Sequence, residues 1–356
     1  MPLCSQCTLP SDVAGITLDD RGVCNQCRTH HAIHYHGEAK LIQILDACRD
    51  RDKTYDCMVN ISGGRDSTYT LLSLVKDHHL RVLAVNYANP FTDPQAIKNI
   101  QNTIRILGVD FVQFSLKKKL HENILRNNIL TWFKNPSPAM VPAICIGCKI
   151  IWPKMLKIAR QKRIRCIVNG GNPFEYTSFK KELLGVADGA DLKSTYFSNF
   201  TGLLIQASKN SGYLNPRFLG PTLQGYLFGN PYAIGSRLMA RNITFLDFFH
   251  YVPWRENDVL ARIQEELEWD FPKDLQSTWR FDCEIAHLKD YMYKMTLGMT
   301  EKDDFYAKLI REGQISRYEA IQRLEKENRI PIDRVNKLLE KVDLKHLQIT
   351  REDPII

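Results

Sequence analysis

An α/β fold built on a parallel sheet, with a cysteine-rich N-terminal module and a helical C-terminal region, is what three features of this 356-residue chain predict. Short apolar runs suited to buried strands alternate with longer segments of helical spacing through the first half. One of those runs leads through Ser-Gly-Gly into a helix, and two Cys-x2-Cys pairs stand ahead of it.

Glu38 to Asp50 places Leu41, Ile42, Ile44, Leu45 and Cys48 on one broad apolar face, which predicts a helix. Cys57-Met58-Val59-Asn60-Ile61 reads as a buried parallel strand. A helix is expected over Thr68 to Val75, then a strand over Arg81 to Asn86, a helix over Pro94 to Leu107 and a strand over Phe111 to Phe114. Ile150 to Gln161 reads as a helix with a kink expected near Pro153, and Cys166 to Asn169 as a strand ending in Gly170-Gly171. Residues 185–240, rich in Gly, Asn, Ser and aromatics, carry no assignable period. Helices are expected again over 256–268 and across 301–343.

This order divides the chain into a metal module at 1–30, a nucleotide-binding domain at 31–185 and a substrate-binding helical region at 186–356. No apolar run approaching the roughly 18 residues of a membrane span is read in it. The N-terminus lacks the basic start and apolar stretch of a secretory signal, so a cytoplasmic enzyme is expected, away from membranes. The formal charge of +8 favours anionic partners, among them ATP, a nucleotide-linked or other small anionic substrate, and tRNA. The oligomeric state stays open, a homodimer included.

Ile61-Ser62-Gly63-Gly64-Arg65-Asp66-Ser67-Thr68 stands between a strand and a helix. Two glycines permit positive φ and a close approach of N–H groups to an anion. The following helix adds its positive end. Ser62, Ser67 and Thr68 offer hydroxyl donors and Arg65 a charge, while Asp66 suits Mg²⁺ or a helix cap. The Walker loop is excluded, because Gly-x4-Gly-Lys-Ser/Thr is absent here.

Cys4-x2-Cys7, sixteen residues, then Cys24-x2-Cys27 has the spacing of a closed four-thiolate zinc site. Cys145-Ile146-Gly147-Cys148 lies before a helix with Lys149 following, a setting that lowers thiol pKa values. Cys283 can complete a three-thiolate set for a 4Fe-4S cluster, or these thiols can carry a persulfide. Cys48, Cys57 and Cys166 fall in apolar patterns and read as core. Glu175 and Tyr176 are candidates for a substrate pocket, Asp282 and His287 for acid–base roles, and Arg255, Arg280 and Arg311 for a substrate phosphate.

The strand–SGGxDS–helix context resembles the PP-loop ATP pyrophosphatases. That resemblance implies cleavage of ATP between the α- and β-phosphates, with AMP passed to a substrate oxygen. It also implies an adenine site near Ala84 to Asn89, Asn86 included, and a turn by the α-phosphate at Gly170-Gly171. The opening Cys4-x2-Cys7-Thr8-Leu9-Pro10, the segment Gly15 to Cys24 and the tail Leu309 to Arg317 resemble N-acetyl sugar amidotransferases. Those enzymes imply ammonia as nucleophile and a partner glutaminase. Cys145-x2-Cys148 is not expected among them. The full cysteine pattern is instead similar to the cluster-dependent tRNA thiolases, which implies sulfur transfer, with Cys145, Cys148 and Cys283 as cluster ligands and a sulfur donor protein as partner. A zinc-bearing nucleotide- or RNA-binding module is the non-enzymatic reading.

Overall fold

A computed structural model describes residues 2–117, 119–176, 183 and 201–350. Five parallel strands form its sheet: β1 Cys57–Asn60, β2 Val82–Tyr87, β3 Asp110–Phe114, β4 Cys166–Asn169 and β5 Thr244–Asp247, in the order β3-β2-β1-β4-β5. Successive side chains of a strand point to opposite faces. Val59, Ala84 and Val168 accordingly join one core with Leu71 and Leu74 of the helix Arg65–Lys76. Met58, Leu83 and Ile167 join the other with Met155, Leu156 and Ala159 of the helix Trp152–Gln161. Each fully buried aliphatic side chain contributes roughly 1.5–3 kcal/mol. The order reverses at β1, which is flanked by β2 and β4, and the carboxyl ends of strands beside such a switch form a binding crevice.

The α/β class, parallel sheet, N-terminal four-cysteine group and helical C-terminal region agree with the expectation. Expected elements recur within a few residues: the helix Pro94–Leu107 starts at the Asp93 cap, whose side chain accepts from Gln95 N, and ends at Gly108 in the left-handed region. Pro153 does not kink its helix. It stands in the first turn, where no backbone N–H is required.

The helices Leu120–Lys134, Pro216–Phe228 and Ile234–Met239, and β5, were not legible. Pro221 and two glycines inside Pro216–Phe228 mask its period. Residues 201–208 are also helical; the unassigned stretch at 185–200 lies outside the described residues. The boundary at 185/186 does not separate two sheets, because β5 from the C-terminal region extends the sheet beyond β4. The expected 301–343 helical tail is three helices, Glu301–Arg311, Arg317–Glu327 and Ile332–Lys341.

One segment overturns the reading of apolar runs. Pro138–Gln161, 24 residues, is long and apolar enough by length and composition to cross a membrane. Here it is broken into a 3-10 helix, a short α-helix and the helix Trp152–Gln161, and 61% of its apolar window is buried within the protein.

Candidate active site and metal centre

Beyond β1, Ile61 N still donates to Val85 O at 2.9 Å, and the chain turns at Ser62-Gly63-Gly64 into the helix Arg65–Lys76. Gly63 has φ of 83°, and a Cβ there would lie 2.2 Å from Ala96 O. Its carbonyl accepts from Trp269 Nε1 at 3.0 Å and Asn99 Nδ2 at 3.2 Å. In a trans peptide the N–H points opposite to the carbonyl, so this anchor turns Gly64 N–H the other way, toward Ser62 Oγ at 3.3 Å. Ser62 and Ser67 hydroxyls lie 3.2 Å apart. Gly170 packs on the same helix, where a Cβ would lie 2.7 Å from Thr70 Oγ1. Gly63→Ala is expected to cost about 1–3 kcal/mol for the forced backbone conformation alone, a loss chemical denaturation would show. Wild-type stability in that variant would refute the close packing.

A cavity of about 340 Å³ opens at this loop. Its walls bring together Ser62, Gly64, Asp66, Ser67, Gly170, Gly171 and Glu175 with Cys145, Cys148, Arg280, Asp282 and Cys283. Sequence distance is bridged by backbone pairing: Cys283 forms an antiparallel bridge with Thr92, Asp93 N donates to Asp282 O at 3.1 Å, and Glu284 N to Phe91 O at 2.9 Å. Asn89 Nδ2 then faces both Cys283 Sγ at 3.5 Å and Cys148 Sγ at 3.9 Å. Cys145 closes the 3-10 helix Pro138–Cys145, and Cys148 lies in the helical turn Ile146–Lys149. The lowered thiol pKa expected at Cys145-x2-Cys148 is not found at Cys148. Burial pushes Cys148 well up and Cys283 up to about 12, and Lys149 Nζ stands over Tyr226 at 5.4 Å.

Other expected contacts are corrected. Arg65 lines the cavity, but its guanidinium turns into the protein, donating to Glu256 Oε1 and to Thr278 Oγ1 at 2.9 Å, with Trp254 stacked at 4.9 Å. Asp66 does not cap the helix. Its carboxylate accepts from Trp254 Nε1 at 2.8 Å and Asn172 Nδ2 at 2.6 Å, and burial pushes its pKa to about 7 against the pull of Arg65. Thr68 is fully buried away from the cavity. Asn86 also stands outside the cavity wall; it donates to Ile61 O at 2.7 Å and accepts from Gln113 Nε2 at 2.9 Å, which latches the loop to the sheet.

Tyr176 is exposed, with Lys308 Nζ 3.7 Å over its ring. Of the three candidate arginines, Arg280 reaches the cavity, held by Glu175 at 3.4 Å and Glu301 at 3.3 Å. Arg255 lines a different cavity, and Arg311 Nη1 lies 3.9 Å from Cys7 Sγ. Lys289, which the sequence did not single out, also lines this cavity and pairs with Glu301 at 2.6 Å.

His287 is buried and does not line the cavity. Burial first, then Arg334 and Lys302, hold its pKa down to about 4, against Asp93 and Asp274. A depressed histidine pKa contributes stability that is complete above about 6.5 and is lost as pH falls toward 4, up to about 3 kcal/mol. His287→Gln is expected to flatten stability across that window in denaturation at stepped pH. An unchanged slope would contradict the buried neutral state.

At the N-terminus, Cys4, Cys7, Cys24 and Cys27 present sulfurs within 4.8 Å of one another. Cys4 Sγ lies 3.9 Å from Cys27 Sγ, and Cys7 Sγ lies 3.7 Å from Cys24 Sγ. Backbone N–H groups of Gln6 and Cys24 donate to Cys4 Sγ at 3.4 and 3.2 Å. Four convergent sulfurs with donated N–H groups fit one tetrahedral ion with no open position. Cys57 and Cys166 are core residues, and Cys48 is half-buried against the same core.

Neither a family model nor a curated protein matches this chain. Among solved structures, an NMN synthetase from Francisella tularensis is similar at 14% identity and TM-score 0.39, covering 88% of this chain and 96% of that one. The U34-tRNA thiolase NcsA from Methanococcus maripaludis, with its 4Fe-4S cluster, is similar at 14% identity and TM-score 0.36, over 88% and 87%. Both similarities are too distant to carry chemistry to this chain.

Proposed function

We propose that this protein is a PP-loop enzyme that uses ATP to adenylate a carbonyl or lactam oxygen and then replaces that oxygen with sulfur. The carrying observation is that the phosphate loop and Cys145, Cys148 and Cys283 line one cavity. ATP phosphates fit the loop of Ser62, Gly63, Gly64 and Ser67, where the helix N-terminus favours an anion. The substrate oxygen attacks the α-phosphorus as the α–β bond breaks and pyrophosphate leaves. Sulfur then attacks the adenylated carbon, and AMP departs with the oxygen.

Three thiolates suit a 4Fe-4S cluster, which when bound supplies an open iron for sulfide. Two of the three thiols meet at one side chain, since Asn89 Nδ2 lies 3.5 Å from Cys283 Sγ and 3.9 Å from Cys148 Sγ, and Cys145 lines the same cavity. Arg280 and Lys289, both paired with Glu301, line the cavity as donors for an anionic small molecule or a tRNA nucleotide. The N-terminal four-cysteine set suits structural zinc, and a sulfur donor protein is the expected partner.

Turnover with nucleobase, nucleotide or tRNA substrates is expected to release AMP and pyrophosphate. Ser67→Ala, which removes a loop donor, is expected to slow it by about a hundredfold or more. ADP and phosphate as products would overturn the reading. A requirement for ammonia in iron-free protein would favour the sugar amidotransferases instead, and nucleotide binding without turnover on any substrate would favour a binding module.

A further inference from the structure

Asp282 holds a position that the phosphate loop does not explain. A Cβ built on Gly64 would lie 3.1 Å from its Cγ and 3.2 and 3.3 Å from its two carboxylate oxygens. It lines the same cavity as Ser62 and Ser67 of the loop. A carboxylate therefore stands over the mouth of a loop whose N–H groups, hydroxyls and helix end are arranged for an anion. Phosphate arriving beside it meets a like charge at short range.

That conflict is relieved by moving the carboxylate away or by placing a cation between the two anions. Movement is opposed by the backbone. Asp93 N donates to Asp282 O at 3.1 Å, Glu284 N donates to Phe91 O at 2.9 Å, and Cys283 is bridged to Thr92. The other acidic residue of the loop is already committed, since Asp66 Oδ1 and Oδ2 each accept a hydrogen bond from Trp254 and Asn172. Glu175 is drawn toward Arg280 at 3.4 Å and Arg65 at 3.9 Å. Asp282 shares the cavity wall with Ser62, a hydroxyl that lies 3.2 Å from Ser67 Oγ and is itself a hard oxygen ligand.

We propose that Asp282, rather than Asp66, is the carboxylate ligand of the divalent cation that accompanies the ATP phosphates. The inference rests on the ATP-binding part of the proposed function. It makes the loop a poor site for metal-free nucleotide and a good one for the magnesium complex. Because Asp282 and Cys283 are consecutive on one pinned segment, the cation also ties the nucleotide to the cysteine wall of the cavity.

Calorimetric titration with an ATP analogue that resists α–β cleavage tests this, with and without added Mg²⁺, alongside Mn²⁺ binding followed by electron paramagnetic resonance. In the wild type, added Mg²⁺ is expected to tighten the analogue by at least about tenfold. In Asp282→Asn the metal-free analogue is expected to bind more tightly than to wild type. The Mg²⁺ gain should fall below about twofold, and nucleotide-dependent Mn²⁺ binding should be lost. Asp282→Ala should behave alike, with retained melting temperature and N-terminal metal showing that the fold is intact. An undiminished Mg²⁺ gain in both variants would overturn the assignment, as would its loss in Asp66→Asn alone. If the wild type binds no nucleotide under either condition, the ATP reading itself falls, a result distinct from nucleotide binding with an unchanged metal gain.

Discussion

Cys7→Ala is expected to release the N-terminal metal and to lower the melting temperature sharply. In small finger peptides, structural zinc supplies about 10–16 kcal/mol of apparent binding free energy that is also folding free energy. The first thirty residues have little else. Their apolar contacts centre on Leu9, Val13 and Ile16, grouped with three of the four cysteines. The effect should spread, because the module docks on the C-terminal helices. Met299 and Ala307 join its core, and Thr8 Oγ1 donates to Asp303 O at 3.0 Å. Arg317 Nε donates to the carbonyls of Cys4 and Cys7 at 3.2 and 3.0 Å. Elemental analysis and thermal denaturation of the variant check both parts. A variant that keeps the wild-type melting temperature would contradict a structural role for the metal.

Cys283→Ala is expected to abolish sulfur product while leaving nucleotide binding within a few-fold of wild type. Cys283 lines the cavity apart from Ser62, Gly64 and Ser67, the residues proposed to take the phosphates. Asn89 faces both Cys148 and Cys283, so Asn89→Ala should weaken the same function less severely by loosening two thiols at once. Product analysis beside calorimetry separates the outcomes. Sulfur product at the wild-type rate in Cys283→Ala would remove that cysteine from the chemistry, and parallel loss of nucleotide binding would mark it as structural.

The parallel sheet was legible because β1, β2 and β4 are short apolar runs buried on both faces, and runs of that kind stand out. β5 was not, because Thr244–Asp247 is an edge strand with one fully buried residue and no alternation to detect. The loop at Ser62, the four N-terminal cysteines and Cys145-x2-Cys148 stand out by spacing, which is local, whereas Cys283 reaches the cavity only through its pairing with Thr92. What spacing could not give was direction. Arg65 and Asp66 sit inside the motif, yet one is drawn inward by Glu256 and the other is held by Trp254 and Asn172, from segments far along the chain. Lys289 escaped notice because a lysine within an apolar helix carries no motif, and only the pairing with Glu301 fixes it at the cavity. Asp282 was seen as an acid–base candidate, but its place over Gly64 depends on pairing with the segment after β2.

Iron and acid-labile sulfide measured on anaerobically purified protein test the central claim most directly, because they require no knowledge of the substrate. The account predicts about four irons and four sulfides per chain with iron–sulfur absorption. Both should be lost in each of Cys145→Ala, Cys148→Ala and Cys283→Ala, while the N-terminal metal stays bound. Iron-free protein with full ATP-dependent sulfur transfer, or a cluster that survives all three substitutions, would contradict it.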